Sequence, residues 1–198
     1  SSASISFDDL TVNTTATKDI TITNTGNQDI TISSIAVPNG FSVNPTNATI
    51  SPNNNEIITI TFSPTEVKSY SGAVTITSNA TNTPSISTNG NGIELDTFTI
   101  DVSSSSISFD DLTVNTTATK EVTITNTGNQ DINISSIIVP TGFSVNPTTA
   151  TISPNNNEII TITFSPTEVK SYSGDVTIAS NATNTPSLNI NGNGIANI

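Results

Sequence analysis

Glu56 to Gly72 reads EIITITFSPTEVKSYSG and returns without a change as Glu158 to Gly174. Ile58, Ile60 and Phe62 share one parity and Thr59 and Thr61 the other, the period-two pattern of a strand with one buried face. Ser63-Pro64-Thr65 ends that strand, because proline has no N–H to donate to a central ladder. Ser69 to Ser78 begins the next, with Tyr70, Val74 and Ile76 as its inward set after an irregularity at Gly72. A buried strand, a proline corner and a second strand describe the middle of a β-sandwich rather than an active site.

The recurrence extends outward in both directions. Phe7, Phe41, Phe62 and Tyr70 reappear as Phe109, Phe143, Phe164 and Tyr172, an offset of 102 throughout, and about one aligned position in eight differs. A unit of about a hundred residues is too long for a solenoid repeat and right for an independent domain. Two tandem domains follow: residues 1–93, residues 103–198, and a junction of residues 94–102 between them. Such similarity between neighbours invites cross-pairing during folding, so its persistence points to recent duplication or a selected repeat length.

Taken in order, Ile5 and Phe7 alternate with serines, Asp8 and Asp9 interrupt, and Leu10 and Val12 resume at shifted parity. That shift predicts a strand crossing between sheets through a bulge. Lys18 to Asn24 places Ile20 and Ile22 inward, and TGNQD supplies a turn. Ile30 and Ile32 open another alternation that Ser33-Ser34 bends. Phe41 and Val43 form a short strand closed by Asn44-Pro45, and the loop SPNNN precedes Glu56. Residues 79–84 form a polar turn, and Ser85 to Gly92 reads as a weak last strand. In the junction, ELDTFTIDV, Phe98, Ile100 and Val102 alternate cleanly, which predicts a strand serving as the first of the second repeat rather than a floppy linker. No helix is expected. The fold class is all-β, two tandem immunoglobulin-like β-sandwiches.

Composition narrows function. Sixteen acidic residues stand against four lysines and no arginine, a net charge of −12. Neutralising phosphates takes clustered Lys or Arg, so nucleic acid and anionic membrane surfaces are poor partners. Without His or Cys there is no Ser-His-Asp or Cys-His arrangement, no thiolate metal site and no disulfide. No glycine-rich phosphate loop leads into a helix, and no enzymatic activity is expected. No apolar run is long enough to span a bilayer, and no signal peptide opens the chain at Ser1, so the sequence reads as an excerpt of a longer secreted polypeptide.

With the strand order in place, the chain resembles the bacterial choice-of-anchor D repeat, a relative of the ASPM–SPD-2–Hydin immunoglobulin-like domains. The resemblance rests on KDITITNTGNQDITISSI (Lys18 to Ile35), GFSV (Gly40 to Val43), EIITITFSPTEVKSYSGAVTITSNATNTPSIS (Glu56 to Ser87) and the closing NGNGI. It covers nearly all of each copy. It implies a seven- or eight-stranded sandwich used in tandem as an extracellular building block of large secreted or cell-surface proteins, with no shared catalytic residues. Eukaryotic relatives work inside cilia and centrosomes. The chain departs from the family's usual glycines at Asp8-Asp9 and at Lys68, where different turn geometry is expected.

Several residues carry possible chemistry. Glu94, Asp96, Asp101, Asp110 and Asp111 cluster near the junction, and calcium takes oxygen ligands, so an ion there would stiffen the joint. Their spacing matches no EF-hand loop, and solvated acidic surface is the alternative. Lys18 shares the parity of Ile20 and Ile22. Its stem either snorkels at the sandwich rim or, as in some adhesin domains resembling this one, condenses with an asparagine into an isopeptide crosslink. Outward threonines (Thr21 and Thr23, Thr59 and Thr61, Thr75 and Thr77) form ladders of the kind seen on ice-binding surfaces and equally on ordinary exposed sheets. Asn13, Asn47, Asn79, Asn115, Asn133 and Asn181 begin N-x-S/T sequons.

The function expected from the sequence is a non-catalytic spacer or stalk repeat of a large secreted or cell-surface adhesin-like protein, its partners being neighbouring repeats of the same chain. One alternative is a filament subunit self-associating by strand addition through a segment such as DTFTIDV. Another is a glycan- or protein-binding module acting through the loops SPNNN and SNATNTP. Glycan sites place exposed aromatics against sugar faces, and the aromatics here read as core.

Overall fold

The computed structural model describes residues 3–82 and 85–197. Thr83 and Pro84, the end of the polar turn read at 79–84, lie outside the described residues, as do Ser1, Ser2 and Ile198. Among the described residues every regular element is a strand, and no helix is long and apolar enough to cross a membrane. The chain divides into two compact units, Ser1–Leu95 and Asp96–Ile198, so the boundary falls inside the junction at 94–102.

The first unit contains β1 (Ala3–Thr11), β2 (Ala16–Thr23), β3 (Ile30–Ala36), β4 (Phe41–Asn44), β5 (Ala48–Ile50), β6 (Asn55–Phe62), β7 (Ser69–Ser78) and β8 (Ile86–Ile93). One sheet has the order β1-β8-β7-β3-β5, the other β2-β6-β4. Strand β6, from the repeated stretch, is the centre of the smaller sheet because its inward parity is wholly apolar: Ile58, Ile60 and Phe62 have no exposed surface. Phe62 collects the aromatic core, stacked on Phe41 at 4.8 Å, tilted against Phe7 at 5.5 Å and edge-on to Tyr70 at 5.4 Å.

Three expectations for this unit are corrected. The stretch 3–11 does not cross between sheets. It stays beside β8 in parallel register, from Ala3 opposite Ile86 to Thr11 opposite Ile93, and the register shifts between Ser6 and Asp9. One extra residue in a bulge flips the parity without leaving the ladder. The segment ending in NGNGI is the last strand of the unit, as expected, but not a weak one, because β8 lies between β1 and β7. Its glycines make that position possible: a Cβ on Gly90 would come within 2.7 Å of the Phe62 ring. The ladder between β7 and β8 also runs regularly through Gly72, which faces Thr88, so no irregularity occurs there. The bend expected at Ser33-Ser34 is a register shift between Ile32 and Ser34.

The second unit contains β9 (Ile100–Val102), β10 (Ser106–Ser108), β11 (Leu112–Thr113), β12 (Ala118–Asn126), β13 (Ile132–Ile138), β14 (Phe143–Asn146), β15 (Ala150–Ile152), β16 (Asn157–Phe164), β17 (Ser171–Asp175), β18 (Thr177–Ser180) and β19 (Asn189–Ile195). Strands β10 and β11 both pair in parallel with β19, and β17 pairs with β19 from the other side. The facing sheet has the order β14-β16-β12-β9. It therefore carries one strand more than its counterpart, and that strand comes from the junction. Antiparallel pairing sets Val102 opposite Ile124 and Ile100 opposite Asn126.

That added strand changes the core. Val122, Ile124 and Ile132 are fully buried, whereas the equivalent Ile20, Ile22 and Ile30 are only half-buried. The buried stripe expected at Ile20, Ile22, Ile58, Ile60, Phe62, Val74 and Ile76 is thus continuous through Ile58, Ile60, Phe62 and Val74 and open at Ile20, Ile22 and Ile76.

Candidate functional site

Each unit is tied at one end by a buried amide. Asn24 is fully buried at the end of β2, and its Nδ2 donates to the carbonyls of Gln28 and Ile50, both at 2.7 Å. Its Oδ1 accepts from the Gly26 N–H at 2.9 Å. Its backbone N–H donates to Asn54 and its carbonyl accepts from Asn53. One side chain therefore holds the TGNQD turn against the SPNNN loop with every polar atom paired, as a buried amide requires. Asn126 repeats the arrangement with Gln130, Ile152 and Gly128. The parity pattern gave no sign of this role, since Asn24 falls on the same parity as Ile20 and Ile22 and reads as the end of a strand.

At the proline corner, the Tyr70 hydroxyl accepts from the N–H groups of Thr65 and Glu66 at 3.2 and 3.0 Å and donates to the Glu66 carbonyl at 3.3 Å. Burial pushes the phenol up, but the bonds from Thr65 and Glu66 and the nearby Lys68 charge together outweigh it, so its pKa lies below the ordinary value. Lys68, singled out as the odd residue of the repeated stretch, pairs with Glu66, and Lys170 pairs with Glu168 at 2.6 Å. Hydrogen bonding to the lysine, then its charge, lowers each glutamate's pKa. These groups fasten a corner.

Three of the junction carboxylates, Asp96, Asp101 and Asp111, are engaged locally. The Asp96 Oδ1 accepts from Gln130 Nε2 at 2.9 Å, the Asp101 Oδ1 from the Val102 N–H at 2.9 Å, and the Asp111 Oδ1 from Asn193 Nδ2 at 3.0 Å. Asp110 is exposed, as is Glu94 at the end of the first unit. Among the described residues no group of three or more acidic side chains gathers as metal ligands would.

Lys18 reaches the rim, where its Nζ donates to the Ser6 carbonyl at 2.7 Å and lies 5.8 Å from the Phe7 ring centroid. Lys120 makes the same contacts with Ser108 and Phe109. Of the threonine ladder, Thr59 is used by Asp19, to which its hydroxyl donates at 2.7 Å. Among the sequon residues, Asn79 and Asn181 bridge strands with both ends of their amides.

The densest set of contacts made by junction residues is the seating of residues 97–103 in the second unit. The Ser103 N–H donates to Thr123, the Thr127 N–H to Thr99 and the Asn129 N–H to Thr97, at 2.9, 2.9 and 3.1 Å. On the other side the Thr183 N–H donates to the Phe98 carbonyl at 2.7 Å, and the Asn184 amide both accepts from and donates to the Ile100 backbone at 2.9 and 2.7 Å. Between these rails Ile100 is buried, with Phe98 and Val102 packed at its sides.

All-β units with these two facing sheets are immunoglobulin-like, PapD-like sandwiches. The family model described as "Abnormal spindle-like microcephaly-assoc'd, ASPM-SPD-2-Hydin" matches residues 1–86 and again residues 98–188, and the chain belongs to that family. No curated protein matches the chain. Among solved structures, it is similar to a protein of unknown function from Porphyromonas gingivalis, with 12% identity over 98% of this chain and 97% of that one and a TM-score of 0.44. It is similar also to the ASH/PapD-like domain 7 of human CEP192, with 13% identity over 52% of this chain and 89% of that one and a TM-score of 0.45. A third is the periplasmic chaperone SfaE, with 9% identity over 96% of each chain and a TM-score of 0.36.

Proposed function

We propose that the chain is a non-catalytic spacer, a pair of choice-of-anchor D-type repeats that lengthens a secreted or cell-surface bacterial protein and holds a distal region away from its anchor. The observation that carries this reading is the pairing of the end strands. In the first unit β1 and β8 run parallel. A pull on the chain draws β1 by its start and β8 by its end, so the two slide past one another and their hydrogen bonds are loaded together instead of being unzipped singly. Strands β10 and β11 stand in the same relation to β19, behind β9, whose antiparallel pairing with β12 the pull reaches first. A repeat so built resists tension along the chain, as a stalk module must. The Ser, Thr and Asn surface and the absence of His, Cys and Arg fit a role without chemistry.

Pulling the chain from its ends in a single-molecule experiment tests this. The expected record has two separate unfolding steps, each releasing about 30 nm of chain, the length of some ninety extended residues less the folded span. Gradual extension without steps, or a saturable hit on a glycan array mapped to SPNNN or SNATNTP, would overturn it.

A further inference from the structure

The same turn leads into β4 and β14, and one residue in it differs. Pro38-Asn39-Gly40-Phe41 in the first unit is Pro140-Thr141-Gly142-Phe143 in the second. In both, the phenylalanine N–H donates to the proline carbonyl at 3.1 Å and the glycine holds a positive φ, 86° and 92°. The third position of such a turn selects glycine for that reason. Asn39 is exposed, so the first unit sets an exposed asparagine before glycine where the second has threonine.

Asparagine before glycine is chemically labile when the glycine nitrogen reaches the side-chain carbonyl, since no Cβ blocks the approach. The Gly40 N–H donates to the Asn39 Oδ1 at 3.0 Å. Its nitrogen already lies beside the amide, and rotation about χ2 turns the face of the carbonyl carbon toward it. The other four Asn-Gly pairs begin at Asn89 and Asn91 in β8 and at Asn191 and Asn193 in β19, strands paired on both sides. There the Gly92 and Gly194 N–H groups donate to the Lys68 and Lys170 carbonyls. The Oδ1 atoms of Asn91, Asn191 and Asn193 accept from serines of neighbouring strands at 2.7, 2.8 and 2.7 Å, which draws these amides away from the nitrogen that follows.

We propose that Asn39 is a site of spontaneous modification, at which the first unit alone loses ammonia through a succinimide and acquires isoaspartate. The Gly40 nitrogen gives its proton to a solvent base and bonds to the Asn39 side-chain carbonyl carbon. The bond from that carbon to Nδ2 breaks, and the amide nitrogen leaves as ammonia after taking a proton from water. Water then opens the ring. Cleavage at the side-chain carbonyl gives aspartate, and cleavage at the backbone carbonyl gives isoaspartate, whose main chain is one methylene longer. The net change consumes one water and releases one ammonia, with no oxidant or reductant.

The turn has no room for that methylene. A Cβ on Gly40 would lie 2.4 Å from the Tyr70 ring, and one on Gly72 would lie 2.7 Å from Pro38, so both sides of the turn are already in contact. The Gly40 carbonyl is held by the Ser63 N–H at 2.8 Å. Lengthening the chain displaces Phe41 or Tyr70, and both pack on Phe62. Modification therefore loosens the first unit with age and spares the second. This inference does not rest on the spacer reading.

The test ages the full 198-residue chain in neutral and in mildly alkaline buffer and maps the amide-to-acid mass gain by peptide. Isoaspartate is counted by methyl transfer from S-adenosylmethionine with an isoaspartyl methyltransferase as reagent. Asn39 should react at least about tenfold faster than any of the four ladder asparagines, because the nitrogen and carbonyl are already placed together. Its rate should rise with pH, as attack by a deprotonated nitrogen requires. Asn39→Thr, the residue of the second unit, should abolish the fast reaction, and Thr141→Asn should create it in the second unit. After ageing, the first unit should unfold at lower denaturant, with the second unchanged. Reaction at Asn39 no faster than in the ladders, or a Thr141→Asn chain with no new fast site, would overturn the proposal. An aged first unit of unaltered stability would overturn the loosening.

Discussion

Residues 25–30 and 127–132 both read TGNQDI, yet Ile30 is half-exposed and Ile132 fully buried. Nothing within the six residues differs. The difference is the strand laid over one of them: β9 covers that wall in the second unit, and among the described residues no strand covers it in the first. Burial here belongs to a pairing made by residues outside the six. The units should consequently differ in stability even though their strands, corners and buried asparagines agree.

The largest test of that difference is to remove the strand's anchor. Ile100→Ala should cost the second unit about 3 kcal/mol, the usual range for emptying a fully packed isoleucine site, and leave the first unit unchanged. Denaturant unfolding followed through resonances resolved for each unit reads both. Next comes the glycine pair. Gly128→Ala should cost about 2 kcal/mol, since the Thr97 backbone must shift, whereas Gly26→Ala, whose methyl meets only the Asn24 Oδ1 at 3.3 Å, should cost about half as much, about 1 kcal/mol. Equal effects at the two positions would remove the distinction between a seated and an open edge.

A smaller effect runs through the other sheet. Thr88 is buried with its hydroxyl unpartnered, and its counterpart Ile190 is fully buried. Thr88→Ile should stabilise the first unit by about 1–2 kcal/mol by deleting the unsatisfied group, and Ile190→Thr should weaken the second by a similar amount. Melting of the two variants checks the sign.

The smallest effect should not discriminate between units at all. Glu66 and Glu168 both lie below the ordinary value of 4.5, each through its lysine. The stabilisation from either pair is present above the unfolded carboxylate's pKa and is lost as pH falls through the lower folded one. Acid should therefore weaken both corners alike and leave the stability gap between units unaltered, which a pH series of the same unfolding curves would reveal. Because both pairs are exposed, each contributes little.

Much of this was legible in the sequence. The alternation of Ile58, Ile60 and Phe62 marked the buried strand, and the proline corner, the Ser33-Ser34 bend and the strand character of Ile100 to Val102, the end of the alternation that starts at Phe98, all followed from local pattern. What escaped was everything that depends on a partner. Parity tells which face of a strand is apolar but not what lies beside it, so the parallel pairing of 3–11 with 86–93 and the central place of NGNGI were invisible. Asn24 looked like a strand end because a buried amide is recognised by its three acceptors and donors, which lie 2 to 26 residues away. The partial burial of Ile20 and Ile22 was hidden for the same reason, since both have the pattern of core residues.

The most direct measurement is residue-resolved hydrogen exchange of the unmodified chain across a denaturant series. The account predicts that the amides of β2, β3 and β6 open at lower denaturant than those of β12, β13 and β16, with the first unit unfolding while the second is still intact. Simultaneous opening of the two sets, or earlier opening of the second unit, would contradict it.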